Sequence, residues 1–376
     1  MEKFHSSDTA TQTVKIPGLT ILDRYILRKF LGTFVSSILM IIMIVIVFDI
    51  SEKIEDFITH DVALSEIIFD YYLNFIPYFA NLFSPLFTFI AVIFFTSRLS
   101  SRTEVVAILA AGVSFKRLLR PYLIGATLIA VMSLLLNNYL IPIANKTRLA
   151  FESKYVGGRF VFMDRNVHLQ IAPGSFAYLE TYDNYGNIGT RFTLEQIENR
   201  ELKYKLTARD IHWDSISRTW TINDYVIRKI DKNGETLIKG QKLDTTLNLS
   251  PKDFSRVQNL MESMTVSELN AHIENERLKG SDNLKLFEIE KHKRIAFPFA
   301  TFVLTIIGVA VSSRKERGGI GKHLGIGIGI SFSFIFFMQW FTSYAANGVM
   351  PAAIAVWVPN MIFTGVCVYL LRKAPK

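Results

Sequence analysis

Apolar residues along this chain gather into six long runs, at about 31–50, 67–96, 121–143, 295–312, 324–346 and 352–371. Each approaches the roughly 20 residues a helix needs to cross a bilayer, so the pattern predicts six transmembrane helices. The second run is over-long and holds Asn74, Pro77, Asn81 and Pro85. Proline inside a helix removes a donor and crowds the preceding turn, so a kink is expected there; it serves either packing or a gate. Between the third and fourth runs the period changes. The stretches 167–171, 176–182, 190–197, 202–212, 219–230 and 236–247 are rich in β-branched and aromatic residues, with turn signals such as Pro173-Gly174, Asn184-Tyr185-Gly186-Asn187 and Lys232-Asn233-Gly234 between them. Leu202, Tyr204 and Leu206 alternate, as do Trp220 and Ile222, with Tyr225 following after a slip. Residues 251–294 then suggest short helices leading back to the membrane.

The expected fold is therefore membrane α-helical, with six transmembrane helices and an inserted all-β, jelly-roll-like domain. A polar tail covers 1–18, the first three spans 19–143, the β domain with its helical return 144–290, and the last three spans 291–376. The β domain either closes on its own aromatic core or leaves a greasy groove open to an acyl chain.

One stretch, RLSSRTEVVAILAAGVSFKRLLR at 98–120, is too short and too charged at its ends to span. It predicts a helix over about 100–113 lying at the membrane surface. Ser101 and Glu104 have capping-box spacing. Val105, Ile108, Leu109 and Gly112 recur at helical intervals, Gly112 suits a left-handed end, and Ser114 suits a cap for the next helix. On pattern alone two readings stay open: an ordinary loop helix in which Glu104 only caps, and a docking helix whose low relief comes from Ala107, Ala110 and Ala111.

Composition and charge orient this plan. Half the residues are hydrophobic and 30 are Phe, more than a water-soluble chain of this size needs. Basic residues cluster before span one (Arg24, Arg28, Lys29), after span two (Arg98, Arg102, Lys116, Arg117, Arg120), after span four (Arg314, Lys315, Arg317, Lys322) and after span six (Arg372, Lys373, Lys376). All four clusters fall on one side if every span is real, which predicts cytoplasmic termini and a β domain on the outer side. Residues 143–290 hold 21 basic and 21 acidic residues, so the net +9 comes from elsewhere. No basic face is left for nucleic acid.

Candidate chemistry is sparse. The seven histidines, at 5, 60, 168, 212, 272, 292 and 323, form no metal-ligand motif, and the single cysteine, Cys367, lies in the last apolar run. RGGIGKH at 317–323 fails as a phosphate loop, because Glu316 and His323 replace the required glycine and the hydroxyl residue. No metal, cofactor or ATP site is expected, so any energy must come from another subunit. Gly321, Gly325 and Gly329 recur every fourth residue and lay a smooth stripe on span five, for packing within the chain or on a second subunit; Gly327 lies off it.

LDRYILRKF at 22–30, SRTEVVAILAAGVSFKRLLRP at 101–121, EKHKRIAFPFA at 290–300 and AVWVPN at 355–360, in the order three spans, β domain, three spans, resemble the LptF/LptG permeases of the lipopolysaccharide exporter; LDRY leans toward the LptG-like member. The resemblance implies a transport subunit in the cell inner membrane, without enzymatic activity of its own. By the same resemblance it would pair with a paralogous permease, dock a dimeric cytoplasmic LptB-like ATPase through coupling helices, hold its β domain in the periplasm, and pass lipopolysaccharide to LptC-like and LptA-like periplasmic proteins. Carried over by position, Glu104 is the coupling-helix acid, with Arg102, Ala110, Gly112 and Ser114 around it. Family members place cations for lipid A phosphates at the outer ends of spans one and three. Here span three offers Lys146 and Arg148, while span one offers only Lys53 among Asp49, Glu52 and Glu55, a departure from that pattern. Two further classes remain: a membrane-anchored envelope scaffold or lipid-binding protein without transport, and a lipid-headgroup enzyme, which lacks a nucleophile–base pair.

Overall fold

The computed structural model describes residues 20–373 apart from 157–160, 163–166, 184–185, 199, 216, 232–233, 252–256, 280, 282 and 314–318. The tail over 1–18, the turn residues Asn184, Tyr185, Lys232 and Asn233, and the basic residues Arg314, Lys315, Arg317 and Lys376 lie outside the described residues.

Thr20 and Asp23 begin α1 (Ile21–Thr59). The Thr20 hydroxyl accepts from the Asp23 backbone N–H at 3.3 Å and the Asp23 carboxylate accepts from the Thr20 backbone N–H at 2.9 Å, which satisfies two free donors reciprocally. The helix has 39 residues, about 58 Å, against a hydrocarbon core of roughly 30 Å. Its ends therefore project past the apolar run 31–50. The same holds along the chain: α2 (Leu64–Ser101) and α4 (Phe115–Val156) overrun the runs expected at 67–96 and 121–143, because hydropathy registers only the greasy middle of a helix. Pro77 and Pro85 lie inside α2 without ending it. A π turn at Ile67–Tyr72 widens its start, and Asn74 donates to the carbonyls of Phe69 and Asp70 at 2.9 and 3.0 Å, so the helix's own side chain covers groups that the wide turn leaves free.

The short helix is α3 (Glu104–Ala110), tighter than the 100–113 expected. The Ser101–Glu104 capping box does not form. Thr103 adopts the left-handed conformation (φ 63°) and makes no side-chain cap bond, while the Ser101 hydroxyl turns back to the Arg98 carbonyl at 2.9 Å. Spacing alone cannot see that the chain reverses at Thr103, which separates the two residues. Gly112 (φ 85°) follows α3 in the left-handed region, and the Ser114 hydroxyl accepts from the Arg117 N–H at 3.3 Å at the start of α4.

Among the described residues the insert forms one eight-stranded antiparallel sheet. Its strands are β1 (Val161–Phe162), β2 (Val167–Ala172), β3 (Ser175–Leu179), β4 (Thr181–Asp183), β5 (Ile188–Glu198), β6 (Glu201–Asp214), β7 (Thr219–Asp231) and β8 (Gly234–Thr245). The strands β5 to β8 form a meander; β3 and β4 both pair with β5, and β2 pairs with β3. Leu194 lies opposite Leu206, and Ile211 opposite Ile222. The slip anticipated in β7 falls at Asp224, whose φ of 49° changes the parity. Trp220 and Ile222 before it, and Tyr225 and Ile227 after it, thus belong to one core. Trp220 is fully buried and donates its indole N–H to the Leu249 carbonyl at 2.8 Å.

The chain returns through α5 (Val257–Ser263) and α6 (Val266–Lys279) to α7 (Leu284–Ser312), α8 (Gly319–Ala346) and α9 (Ala352–Lys373). Small residues let α7 sit at the centre of the bundle: Ala296, Ala300 and Gly308 admit neighbours closely, and a Cβ at Gly308 would press on Val92 and Phe89. In its most apolar window 61% of α7 is buried, against 17% for α1 and 22% for α8. The last two therefore present most of their apolar surface to whatever surrounds the chain.

Candidate functional site

Two ends of the helical bundle carry polar structure: the α3 end and the end nearest the β domain. At the α3 end, Val105 is buried, and Ile108 and Leu109 pack with it against Ile26, Leu99 and Leu118. Val106, Ala107, Ala110 and Ala111 are exposed on the other side. A seven-residue helix is too short to hold itself in water, so this packing keeps it formed, and the bare side is a low surface of small apolar groups. Arg102, Gly112 and Ser114 lie exposed around it, and Glu104 is half-buried, accepting from the Tyr25 hydroxyl at 3.5 Å.

Sequence reasoning missed the residue pair that anchors this surface. Asp23, fully buried, accepts from both guanidinium nitrogens of Arg117 at 2.6 and 2.7 Å, and Arg117 also donates to the Thr20 hydroxyl at 3.1 Å. This bidentate pair ties the start of α1 to the start of α4, the two helix roots beside α3. Asp23 stands within LDRY and Arg117 within SFKRLLR, so both were in view, but nothing local says that they meet across 94 positions. Nearby, Thr96 donates to the Tyr122 hydroxyl at 2.8 Å and Ser97 bonds His323 at 2.9 Å, fastening α2 to α4 and to α8.

The three cations picked for lipid phosphates face the β-domain end, each against a carboxylate. Lys53 lies between Asp49 at 2.9 Å and Glu152 at 3.3 Å and bonds the Tyr71 hydroxyl. Lys146 pairs with Glu268 of α6 at 2.6 Å. Arg148, buried, reaches Glu262 of α5 at 3.5 Å and lies over the Tyr78 ring at 5.1 Å. Lys146 and Arg148 thus both hold the return helices, whereas Lys53 belongs to a separate cluster. The Lys146 ammonium, followed by the Thr265 backbone N–H, pulls the Glu268 carboxyl down to about 2.

Arg294, unforeseen as a site residue, completes this brace. It donates to the carbonyls of Met261 and Met264 at 2.8 Å each and to Glu290 at 3.0 Å, clamping the α5–α6 turn onto α7. Beside it, a cavity of about 530 Å³ opens between the β-domain halves of α2 and α8. The span-five glycines divide: a Cβ at Gly327 would run into Ile93, while one at Gly321, Gly325 or Gly329 would meet open space.

The family model for the lipopolysaccharide export system permease LptF/LptG matches residues 24–373. No curated protein matches the chain. The match takes in α1 and α3, the inserted sheet and the last three spans, and the chain belongs to the LptF/LptG family of multi-pass inner-membrane permeases that export lipopolysaccharide.

Proposed function

We propose that this chain is one half of the membrane channel of an ABC transporter, driven through α3 by a separate dimeric cytoplasmic ATPase. The observation that carries the reading is the construction of α3. It is a short helix with a bare small-residue face, seated on an apolar bed and flanked by α1 and α4, which the Asp23–Arg117 pair locks together. A push on such a face moves helix roots rather than bending a loop, and packed helices shift as rigid bodies. The sequence carries no phosphate-loop motif, which supports placing the ATPase on a partner of the LptB-like kind. Basic residues flank α3 at Arg102, Lys116 and Arg120, consistent with a cytoplasmic face and a periplasmic β domain.

In the same reading a paralogous permease packs on α8, where Gly321, Gly325 and Gly329 leave room for a close backbone. The β domain hands lipopolysaccharide to LptC-like and LptA-like proteins. Lys146, Arg148 and Lys53 take lipid phosphates in exchange for the carboxylates that now hold them, so cargo binding competes with the brace between α4 and the return helices. Lipopolysaccharide crosslinking that survives charge reversal at Lys146 and Arg148 removes them from the cargo path.

Glu104→Ala tests the coupling role. Membrane insertion is expected to stay normal while ATPase co-purification falls or hydrolysis continues without export. Retention of both binding and export removes Glu104 from the coupling surface.

A further inference from the structure

α8 touches α2 where Gly327 meets Ile93 and His323 meets Ser97. Nearer the β domain the two helices instead face the 530 Å³ cavity, whose remaining walls come from α4, α5 and α7. Its volume suits a small-molecule-sized group, and its wall is mixed: Leu82, Ile141 and Phe297 are apolar, while Asn81, Asn137 and Gln339 are polar.

Among the described residues, the charged ones that line it are Glu262, Glu290, Lys293 and Arg294. Glu262 accepts from the Tyr78 hydroxyl at 3.0 Å and pairs with Arg148, and Glu290 pairs with Arg294 at 3.0 Å. Both carboxylates are thereby neutralised. Lys293 is half-buried and forms no ion pair or side-chain hydrogen bond with any other described residue, so one positive charge is left over in a partly dehydrated space. An ammonium in that setting favours an anion beside it. A second polar group is also unsatisfied: Asn81, 5% exposed, donates its amide to Asn137 at 2.8 Å and leaves its own carbonyl oxygen without a partner. That oxygen calls for a donor such as a hydroxyl.

We infer that this cavity is a subsite for the phosphorylated, hydroxyl-bearing headgroup of an amphiphile, with Lys293 as the phosphate contact and Asn81 accepting from a headgroup hydroxyl. The inference rests on the permease reading and adds to it a polar site on α2 and α7. Lys53, Lys146 and Arg148 already hold carboxylates, whereas Lys293 holds none. Both a phosphorylated sugar lipid, as in lipopolysaccharide, and phosphatidylglycerol carry this chemistry.

The test places a photo-crosslinking amino acid at Gln339, which lines the cavity and is exposed. The full chain, with the subunits it retains in mild detergent, is transferred to phosphatidylcholine nanodiscs holding either lipopolysaccharide or phosphatidylglycerol. Lys293→Gln is expected to lower crosslinking about tenfold, the effect of losing one charge-assisted contact. Lys293→Arg should restore it, Asn81→Ala should lower it, and Lys291→Gln, on the exposed side of the same helix, should leave it unchanged. A Lys293-dependent signal with lipopolysaccharide alone assigns the subsite to the cargo; with phosphatidylglycerol alone, to a resident lipid; with both, to the shared phosphate chemistry. Equal crosslinking in wild type and Lys293→Gln, an equal fall in Lys291→Gln, or no wild-type crosslink to either lipid overturns the subsite. ATP-driven lipopolysaccharide release from the same wild-type nanodiscs reports on the permease reading separately.

Discussion

Asp23 does three things with one carboxylate: it completes the cap of α1, binds Arg117 through two hydrogen bonds, and places the first helix beside the fourth. Removing it leaves Arg117 without its acid and Thr20 without its reciprocal bond, so Asp23→Ala should lower the thermal unfolding midpoint in detergent by more than Thr20→Ala. The latter removes one cap, a loss of about 1 kcal/mol, and the weaker Arg117–Thr20 bond, but leaves the ion pair in place. Equal midpoints for the two variants would show that the ion pair contributes nothing beyond the cap. At this scale the sequence was only partly legible. Ser114 and Gly112 were readable because a cap and a left-handed turn are local devices. The Asp23–Arg117 and Arg294–Met261 contacts were not, since each depends on which helix lies alongside. Ser101 and Glu104 had capping spacing and failed because Thr103 reverses the backbone between them.

Among elements, α8 shows how spacing finds a feature without choosing its partner. The four-residue glycine period was visible, yet only packing shows that Gly327 is occupied by Ile93 while Gly325 faces open space. Gly327→Leu should destabilise the chain itself, by about 1–3 kcal/mol of overpacking. Gly325→Leu should leave the chain's unfolding midpoint near wild type and reduce recovery of the paired permease. If both variants only destabilise the chain, the stripe packs internally. The return helix α6 carries a pH signature. Glu268 titrates near 2 when folded, below the roughly 4.3 of a free glutamate, so its bond to Lys146 stabilises the docked helix fully above pH about 5. That contribution declines as pH falls through 4 and is gone below about 2. Protection factors for amide exchange in 266–279, which remove the intrinsic pH dependence of exchange, should fall over that window in wild type and show no such step in Glu268→Gln. Both groups are about half exposed, so the effect is modest and salt-sensitive.

For the whole molecule, six spans around an inserted β sheet were legible because hydrophobic runs and period-two alternation are long-range averages that survive local irregularity. The true lengths of the helices and the centrality of α7 were not, because projecting helix ends are polar and burial depends on neighbours. The exposed apolar sides of α1 and α8 and the bare face of α3 are what the proposed half-channel requires: two sides for lipid and a second permease, one face for an ATPase. The cavity beside Lys293 lies at the opposite end of the bundle from α3. The proposed function requires α3 to face the cytoplasm and grip an ATPase. A photo-crosslinking residue at Ala110 in intact cells measures this directly. The expected result is an adduct to a nucleotide-binding protein, together with protection of an Ala110→Cys variant from membrane-impermeant maleimide. Labelling of that cysteine from outside, or crosslinks to periplasmic proteins in place of the ATPase, would contradict it.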